Sequence, residues 1–129
     1  MKIIDLGNEI TQANLVSPGA IPSSGPLGSS LDLQGYQGKV RITLNIGTVT
    51  GTSPTLDIKV QDSADNATFA DVSPAVAFAQ KVSGSANTND SIVVDTRAVR
   101  RYIKLYGTVG GTTPSFTVSA LAIGQKQTI

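Results

Sequence analysis

Two short segments of this chain alternate strictly between apolar and polar residues. Residues 40–46 read VRITLNI, and residues 55–61 read TLDIKVQ. A period of two puts all the apolar side chains of a segment on one face, as in a strand with one buried face. We therefore predict two half-buried strands that form an antiparallel hairpin. Because apolar residues must face each other, we place Leu44 opposite Ile58 and Ile42 opposite Val60.

A nearly repeated phrase lies in this part of the chain and again near its end. Residues 47–60 read GTVTGTSPTLDIKV, and residues 107–120 read GTVGGTTPSFTVSA. Gly, Thr, Ser and Pro favour turns, so we interpret each phrase as a hairpin connection, the second one joining 101–106 to 115–123. Gene duplication and convergence on good turn chemistry explain so short a phrase equally well.

The second predicted hairpin differs from the first because it is apolar on both faces. Such a strand pair is central, covered, or at an interface. We therefore expect one face in the core and the other against a neighbouring chain or an arm of this chain. One face would carry Ile103, Leu105, Leu121 and Ile123, and the other Tyr102, Tyr106, Phe116 and Val118.

Short turn-rich connections between alternating segments indicate the fold class. We predict an all-β fold, an antiparallel two-sheet β-sandwich of jelly-roll-like form with about eight strands. A chain of 129 residues is long enough for one core. We expect residues 31–129 to form this sandwich domain.

The segment before residue 31 has a different composition. Residues 17–30, SPGAIPSSGPLGSS, carry no charge and contain three prolines. Proline removes a backbone donor and fixes φ, so we predict that residues 1–30 form an N-terminal segment with an extended arm. Ile21 and Leu27 would anchor the arm on a neighbouring subunit; a passive tether is the alternative.

Residue types that are missing exclude several kinds of chemistry. The chain has no Cys and no His, which removes thiolate chemistry, the commonest general base and the commonest transition-metal ligand. A net charge of +1 gives no field that would attract nucleic acid or an anionic membrane. Since no catalytic or cofactor motif is present either, we expect a protein that is not an enzyme and binds no cofactor. The N-terminus lacks the apolar stretch of a signal peptide, which predicts synthesis in a cytoplasm.

Two clusters of charged residues remain as weak signals for a site. Asp62, Asp65, Asn66 and Asp71 could offer oxygens to Ca²⁺, but their spacing is not that of an EF-hand, and Asp and Asn also make turns. Arg97, Arg100 and Arg101 form a cationic cluster that could contact phosphate or sugar, but a solvated strand entry or a salt bridge to an acidic partner surface is favoured.

Two longer phrases resemble a known group of proteins. Residues 31–72, LDLQGYQGKVRITLNIGTVTGTSPTLDIKVQDSADNATFADV, and residues 93–126, VVDTRAVRRYIKLYGTVGGTTPSFTVSALAIGQK, are similar to small structural head proteins of tailed bacteriophages. The resemblance implies a capsid decoration, or cement, protein: a β-sandwich that binds the outer surface of the shell and stabilises it. It implies the major capsid protein as partner, a homo-oligomer (dimer or trimer), and a place on the virion surface after synthesis in the host cytoplasm.

The RYIKL phrase also resembles strands of carbohydrate-binding sandwich domains. A tail- or head-associated adhesion module that binds host carbohydrate is therefore the alternative function. Nucleic acid and membrane are not expected as partners. The residues predicted to contact a partner are Ile21, Leu27, Arg97, Arg100, Arg101, Ile103 and Leu105.

Overall fold

Six strands account for most of the protein in the computed structural model, which describes residues 10–126. Two short 3₁₀ turns, Leu33–Gly35 and Ser83–Ser85, interrupt the strands. The strands are β1 (Ile10–Ile21), β2 (Gly25–Asp32), β3 (Tyr36–Ser63), β4 (Ala70–Asp71), β5 (Thr88–Asp95) and β6 (Tyr102–Lys126).

The frame of the molecule is a pair of unusually long strands. β3 has 28 residues and β6 has 25. They run antiparallel over their whole lengths, from Tyr36 opposite Lys126 to Ser63 opposite Tyr102. Their register shifts lie mainly between Ile46 and Thr55 of β3. Shifts of this kind bend strands, so each long strand contributes one half to each of two sheets.

Each sheet combines one half of β3, one half of β6 and two outer segments. The first sheet has the order β1, residues 116–126, residues 36–46, β5. The second has the order β2, residues 102–107, residues 55–63, β4. Residues 76–81 extend the β4 edge, since Phe78 N–H donates to Ile58 O at 2.9 Å and Lys81 N–H to Leu56 O at 2.8 Å.

The predicted all-β antiparallel sandwich is confirmed by this arrangement. Buried residues of both sheets form one hydrophobic cluster. The alternation in β3 is also confirmed, because Val40, Ile42, Leu44 and Leu56 are fully buried, while Arg41 and Asp57 are exposed. The chain crosses between the two sheets at the bends of β3 and β6.

The two predicted hairpins are wrong. Leu44 lies opposite Ala120, and Ile58 lies opposite Gly107, so neither contacts the other as a register partner. The repeated phrases are the bends of β3 and β6, and they pair with each other, with Thr52 opposite Thr112. Period-two alternation shows which side of a strand is buried, but it does not show which strand is its neighbour.

Pairing of the two bends explains why their sequences are alike. Gly51 has φ +108° and Gly111 has φ +104°, a region that favours glycine. A Cβ on Gly51 would lie 2.7 Å from Thr113 O, and one on Gly111 would lie 2.6 Å from Ser53 O. Each glycine therefore packs directly on the backbone of the other bend, and the same chemistry is required twice.

The predicted N-terminal arm is wrong because its residues belong to two strands of the sandwich. Residues 17–21 end β1 and residues 25–30 lie in β2, both paired with β6. Pro18 lies where the β1 register shifts, and an outer strand tolerates such a residue. The domain boundary between 1–30 and 31–129 falls inside β2 and is also wrong; residues 1–9 lie outside the described part of the chain.

The predicted division of the second hairpin into two apolar faces is also wrong. Because β6 bends between its two halves, Ile103 and Leu105 face the core together with Phe116 and Val118. The outward residues are half-buried: Tyr102 and Tyr106 on the second sheet, Leu121 and Ile123 on the first.

Candidate interaction surfaces

Four of the predicted partner contacts are core residues of this chain. Ile21 is 8% exposed and Leu27 6%, while Ile103 and Leu105 are completely buried. Leu27 and Leu105 are direct neighbours across β2 and β6. Burial within the chain leaves these side chains no surface for a neighbour, so their assignment as partner contacts is wrong.

The three predicted arginines are used in different ways. Arg100 donates to buried Asp62 from Nε at 3.1 Å and from Nη2 at 2.9 Å. Arg101 makes two bonds to Asp32, both at 2.9 Å, which lower the pKa of that carboxyl. The Arg97 side chain is 83% exposed, and within residues 10–126 its ion pair is with Asp95, at 3.5 Å. The cluster therefore divides into two arginines held by ion pairs within the chain and one that points into solvent.

The carboxylates considered for calcium are also held by other groups. Asp62 pairs with Arg100, and Asp71 accepts from Lys59 and Gln61. Asp65 accepts from the backbone N–H groups of Thr68 and Ala67 and from Ser63, and these bonds lower its pKa to about 2. Within residues 10–126, no group of three or more acidic side chains could hold a metal ion. Asp65 and Asn66 lie in the connection between β3 and β4, as the turn interpretation predicted, whereas Asp62 lies in β3 and Asp71 in β4.

A row of aromatic and cationic side chains covers the outer face of the second sheet. Tyr102, Lys104 and Tyr106 alternate with the buried residues of β6, so all three point outward. We call this surface the aromatic–cationic face, and it consists of Lys59, Phe69, Arg101, Tyr102, Lys104 and Tyr106.

Each aromatic ring of this face lies beside one cation. The Lys104 Nζ is 4.5 Å from the ring centre of Phe69, and Lys59 Nζ is 5.3 Å from that of Tyr106. The Arg101 guanidinium is 5.0 Å from the ring centre of Tyr102. Such contacts contribute about 0.5–1 kcal/mol each at exposed sites. They hold the rings and the charges in fixed positions and so present a pre-formed surface.

Neighbouring acids neutralise two of the three cations. Lys59 Nζ is 2.9 Å from Asp71, and Arg101 pairs with Asp32. The hydrogen bond from Gln61, with that from Lys59, lowers the pKa of Asp71. Among the described residues, Lys104 has no ion pair and the Tyr102 and Tyr106 hydroxyls donate no hydrogen bond. The face therefore offers one ammonium and two hydroxyls to an outside acceptor, beside apolar ring surface.

The outer face of the first sheet carries a shallow apolar hollow. Its volume is about 430 Å³. Arg41 crosses this face and donates to Ser91 Oγ at 2.8 Å. The hollow is lined by Ile10, Lys39, Arg41, Val93, Ile123, Gly124 and Gln125.

Comparison with known proteins gives likeness of fold. No protein-family model and no curated protein matched the sequence. A solved structure of the SPBc2 prophage-derived protein YomS is similar, with a TM-score of 0.51 and 13% identity over 90% of this chain and 94% of that one. A structure of infectious bursal disease virus Gx strain has a TM-score of 0.58 at 17% identity over 88% of this chain.

The viral chains are much longer than this protein. The VP2 subviral particle of infectious bursal disease virus is similar with a TM-score of 0.51 at 15% identity, over 88% of this chain. This chain spans only about a third of the length of the viral chains, 31% and 32%. At these identities the likeness shows the all-β fold.

The sequence contained only part of the signal for the aromatic–cationic face. Strict alternation in YIKLY puts both tyrosines and Lys104 on one side of a strand. Lys59 lies in β3 and Phe69 directly precedes β4, so the pairing of β3 with both β6 and β4 brings these two side chains to the same face. No helix in residues 10–126 is long and apolar enough to cross a membrane.

Proposed function

We propose that this protein is a structural virion protein that binds the outer surface of a phage capsid and stabilises the shell. The observation that carries the proposal is the aromatic–cationic face, a pre-formed surface on a closed sandwich. Tyrosine and arginine are the residue types that contribute most to binding in protein interfaces. The fold likeness to a prophage-derived protein and to chains of virus particles supports a place in the virion.

The proposed partner is the major capsid protein, through a surface that presents a carboxylate or backbone carbonyls. Such a surface would accept hydrogen bonds from Lys104 and the tyrosine hydroxyls and pack on the three rings. Many copies on one shell would act together, so that modest affinity per copy is sufficient. The protein has no catalytic role and needs no cofactor under this proposal.

Co-sedimentation with shells that lack the protein tests this assignment. We expect Tyr102→Ala and Tyr106→Ala each to weaken shell binding by about 2 kcal/mol, the size of an interface hot spot. Lys104→Glu should weaken it too, by reversing the unpaired charge. Lys39→Glu is the matched control, because Lys39 is an exposed lysine on the other sheet and should leave binding unchanged. If all four variants bind shells with the same affinity, the proposal is contradicted.

An adhesion module that binds host carbohydrate is the second candidate. Tyr106 lies beside Lys59, Gln61 and Asp71, and an aromatic ring flanked by hydrogen-bonding groups can also hold a sugar. If the tyrosine variants lose binding to host cells or glycans and keep binding to shells, this second function replaces the first.

A further inference from the structure

The two sheets of this sandwich have four outer edges, and three of them carry features that oppose pairing with another chain. β1 has two register shifts, one of them at Pro18. β2 begins with Gly25 and Pro26, and its register shifts between Leu27 and Leu31. The fourth outer segment has only the two-residue β4, followed by Pro74 and isolated bridges. Prolines, bulges and short strands are the usual means of blocking an edge.

The edge formed by β5 lacks these features. Its eight residues, TNDSIVVD, contain no Pro, Gly or Lys. They pair with β3 without a register shift, from Asp95 opposite Lys39 to Thr88 opposite Ile46. Within residues 10–126, β5 pairs with β3 alone. One side of an extended strand about 26 Å long therefore presents backbone donors and acceptors that no other described strand uses.

The side chains of β5 are also suited to contact. Val93 is 45% exposed. Within residues 10–126, Val93 and Val82 are the two large hydrophobic residues that are exposed to solvent. It also lines the apolar hollow of the first sheet with Ile10 and Ile123. The two acids of the strand are neutralised within the chain, since Asp90 lies 2.7 Å from Lys81 and Asp95 lies 3.5 Å from Arg97.

We propose that β5 is a self-association edge, on which β5 of a second copy of this chain pairs antiparallel about a two-fold axis. The pairing would join the first sheets of two copies into one continuous eight-stranded sheet. Two-fold contacts of this kind are the commonest in homo-oligomers.

The sequence of β5 is compatible with pairing to itself. Directly opposite residues of an antiparallel pair point to the same side of the sheet. The core sides of the two copies therefore align only if one residue of β5 lies opposite the same residue of the other copy, with the two-fold axis between them. An axis at Ser91, Ile92 or Val93 satisfies this condition. At none of the three does Asp90 or Asp95 lie opposite an acid: with the axis at Ile92, Asp95 faces Asn89 and Asp90 faces Val94.

Single cysteines test the pairing directly, because the natural chain has no cysteine. Residues opposite each other in an antiparallel pair lie within disulfide distance. We expect mild oxidation to convert most of one variant among Ser91→Cys, Ile92→Cys and Val93→Cys to a covalent dimer. Val82→Cys is the matched control, since Val82 is 43% exposed but lies outside β5. Dimer yields for all three at the level of the control would overturn the proposal.

Sedimentation velocity of the natural chain and of lysine variants gives a second test. Val93→Lys places a charge on the edge and should raise the dimer dissociation constant about tenfold or more. Val82→Lys should leave it unchanged, and circular dichroism will verify that both variants are folded. A natural chain that stays monomeric at all concentrations, or equal effects of the two variants, would contradict self-association. The test uses free protein, so its result does not depend on shell binding.

Discussion

Gly51 and Gly111 are the single residues on which the two bends depend most. We expect Gly51→Ala or Gly111→Ala to lower the free energy of unfolding by about 3 kcal/mol, because a Cβ meets backbone atoms and φ is positive. Urea denaturation measures the change. Gly84→Ala is the control, since a Cβ there meets no atom within 4 Å. Similar stability of all three variants would show that the bends do not pack as described.

Aspartates with lowered pKa values make the stability of the fold depend on pH. Hydrogen bonds from the Thr68 and Ala67 backbone lower the pKa of Asp65 from 3.8 to about 2. The Lys81 hydrogen bond lowers that of Asp90, and the Arg101 hydrogen bond lowers that of Asp32. Below the usual pKa the unfolded chain binds more protons than the folded chain, so stability is present above that pH and is lost as pH falls.

We therefore expect the urea midpoint to fall steadily from about pH 5 to about pH 2. Asp65→Asn should reduce this dependence near the acid end, because the hydrogen bonds to Asp65 lower its pKa to about 2. Urea titrations at several pH values measure both curves. A midpoint that does not change over this range would mean that these carboxylates are not bonded in the folded protein.

At the scale of strands, β1 and β2 are parts of the sandwich that contact β6 along both of its halves. Removing residues 1–32 would expose Ile103, Leu105 and Ala122, which are fully buried. We expect the truncated chain to lose its cooperative thermal transition, and a peptide of residues 1–32 added in trans to restore it. Calorimetry measures the transition. A cooperative transition of the truncated chain alone would instead support the arm that the sequence predicted.

Strand alternation was predictable, and strand pairing was not. Residues 40–46 and 55–61 were correctly predicted as strands with one buried face, because that pattern is local. Their partners in β5 and β6 lie more than 40 residues away along the chain, and no local pattern carries that information. Residues 17–30 were predicted as an arm because Pro and Gly disfavour central strands, but outer strands accept them.

The residues of the candidate site were predicted only in small part. Arg101 was expected to contact a partner and lies on the aromatic–cationic face. Ile103 and Leu105 were chosen because the second hairpin was expected to be apolar on both faces, and the bend of β6 turns them inward. Phe69 and Lys59 reach the aromatic–cationic face through the pairing of β3 with β4 and β6, and the sequence alone did not indicate this pairing.

At the scale of the whole molecule, two surfaces point in different directions. The aromatic–cationic face covers the second sheet, and the β5 edge ends the first. A protein with one surface for a shell and another for a second copy of itself could form a linked outer layer. The pairing of copies and the binding to the shell are separate proposals with separate tests.

The copy number of this protein in purified virus particles tests the proposed decoration role most directly. Quantitative mass spectrometry of those particles gives the ratio of this protein to the major capsid protein. Decoration of the shell predicts a copy number in the same range as that of the capsid protein. Particles made with the Tyr106→Ala variant should contain far fewer copies, because that variant binds the shell weakly. A handful of copies per particle, or none, would contradict it, and a handful located at the tail would favour the adhesion module.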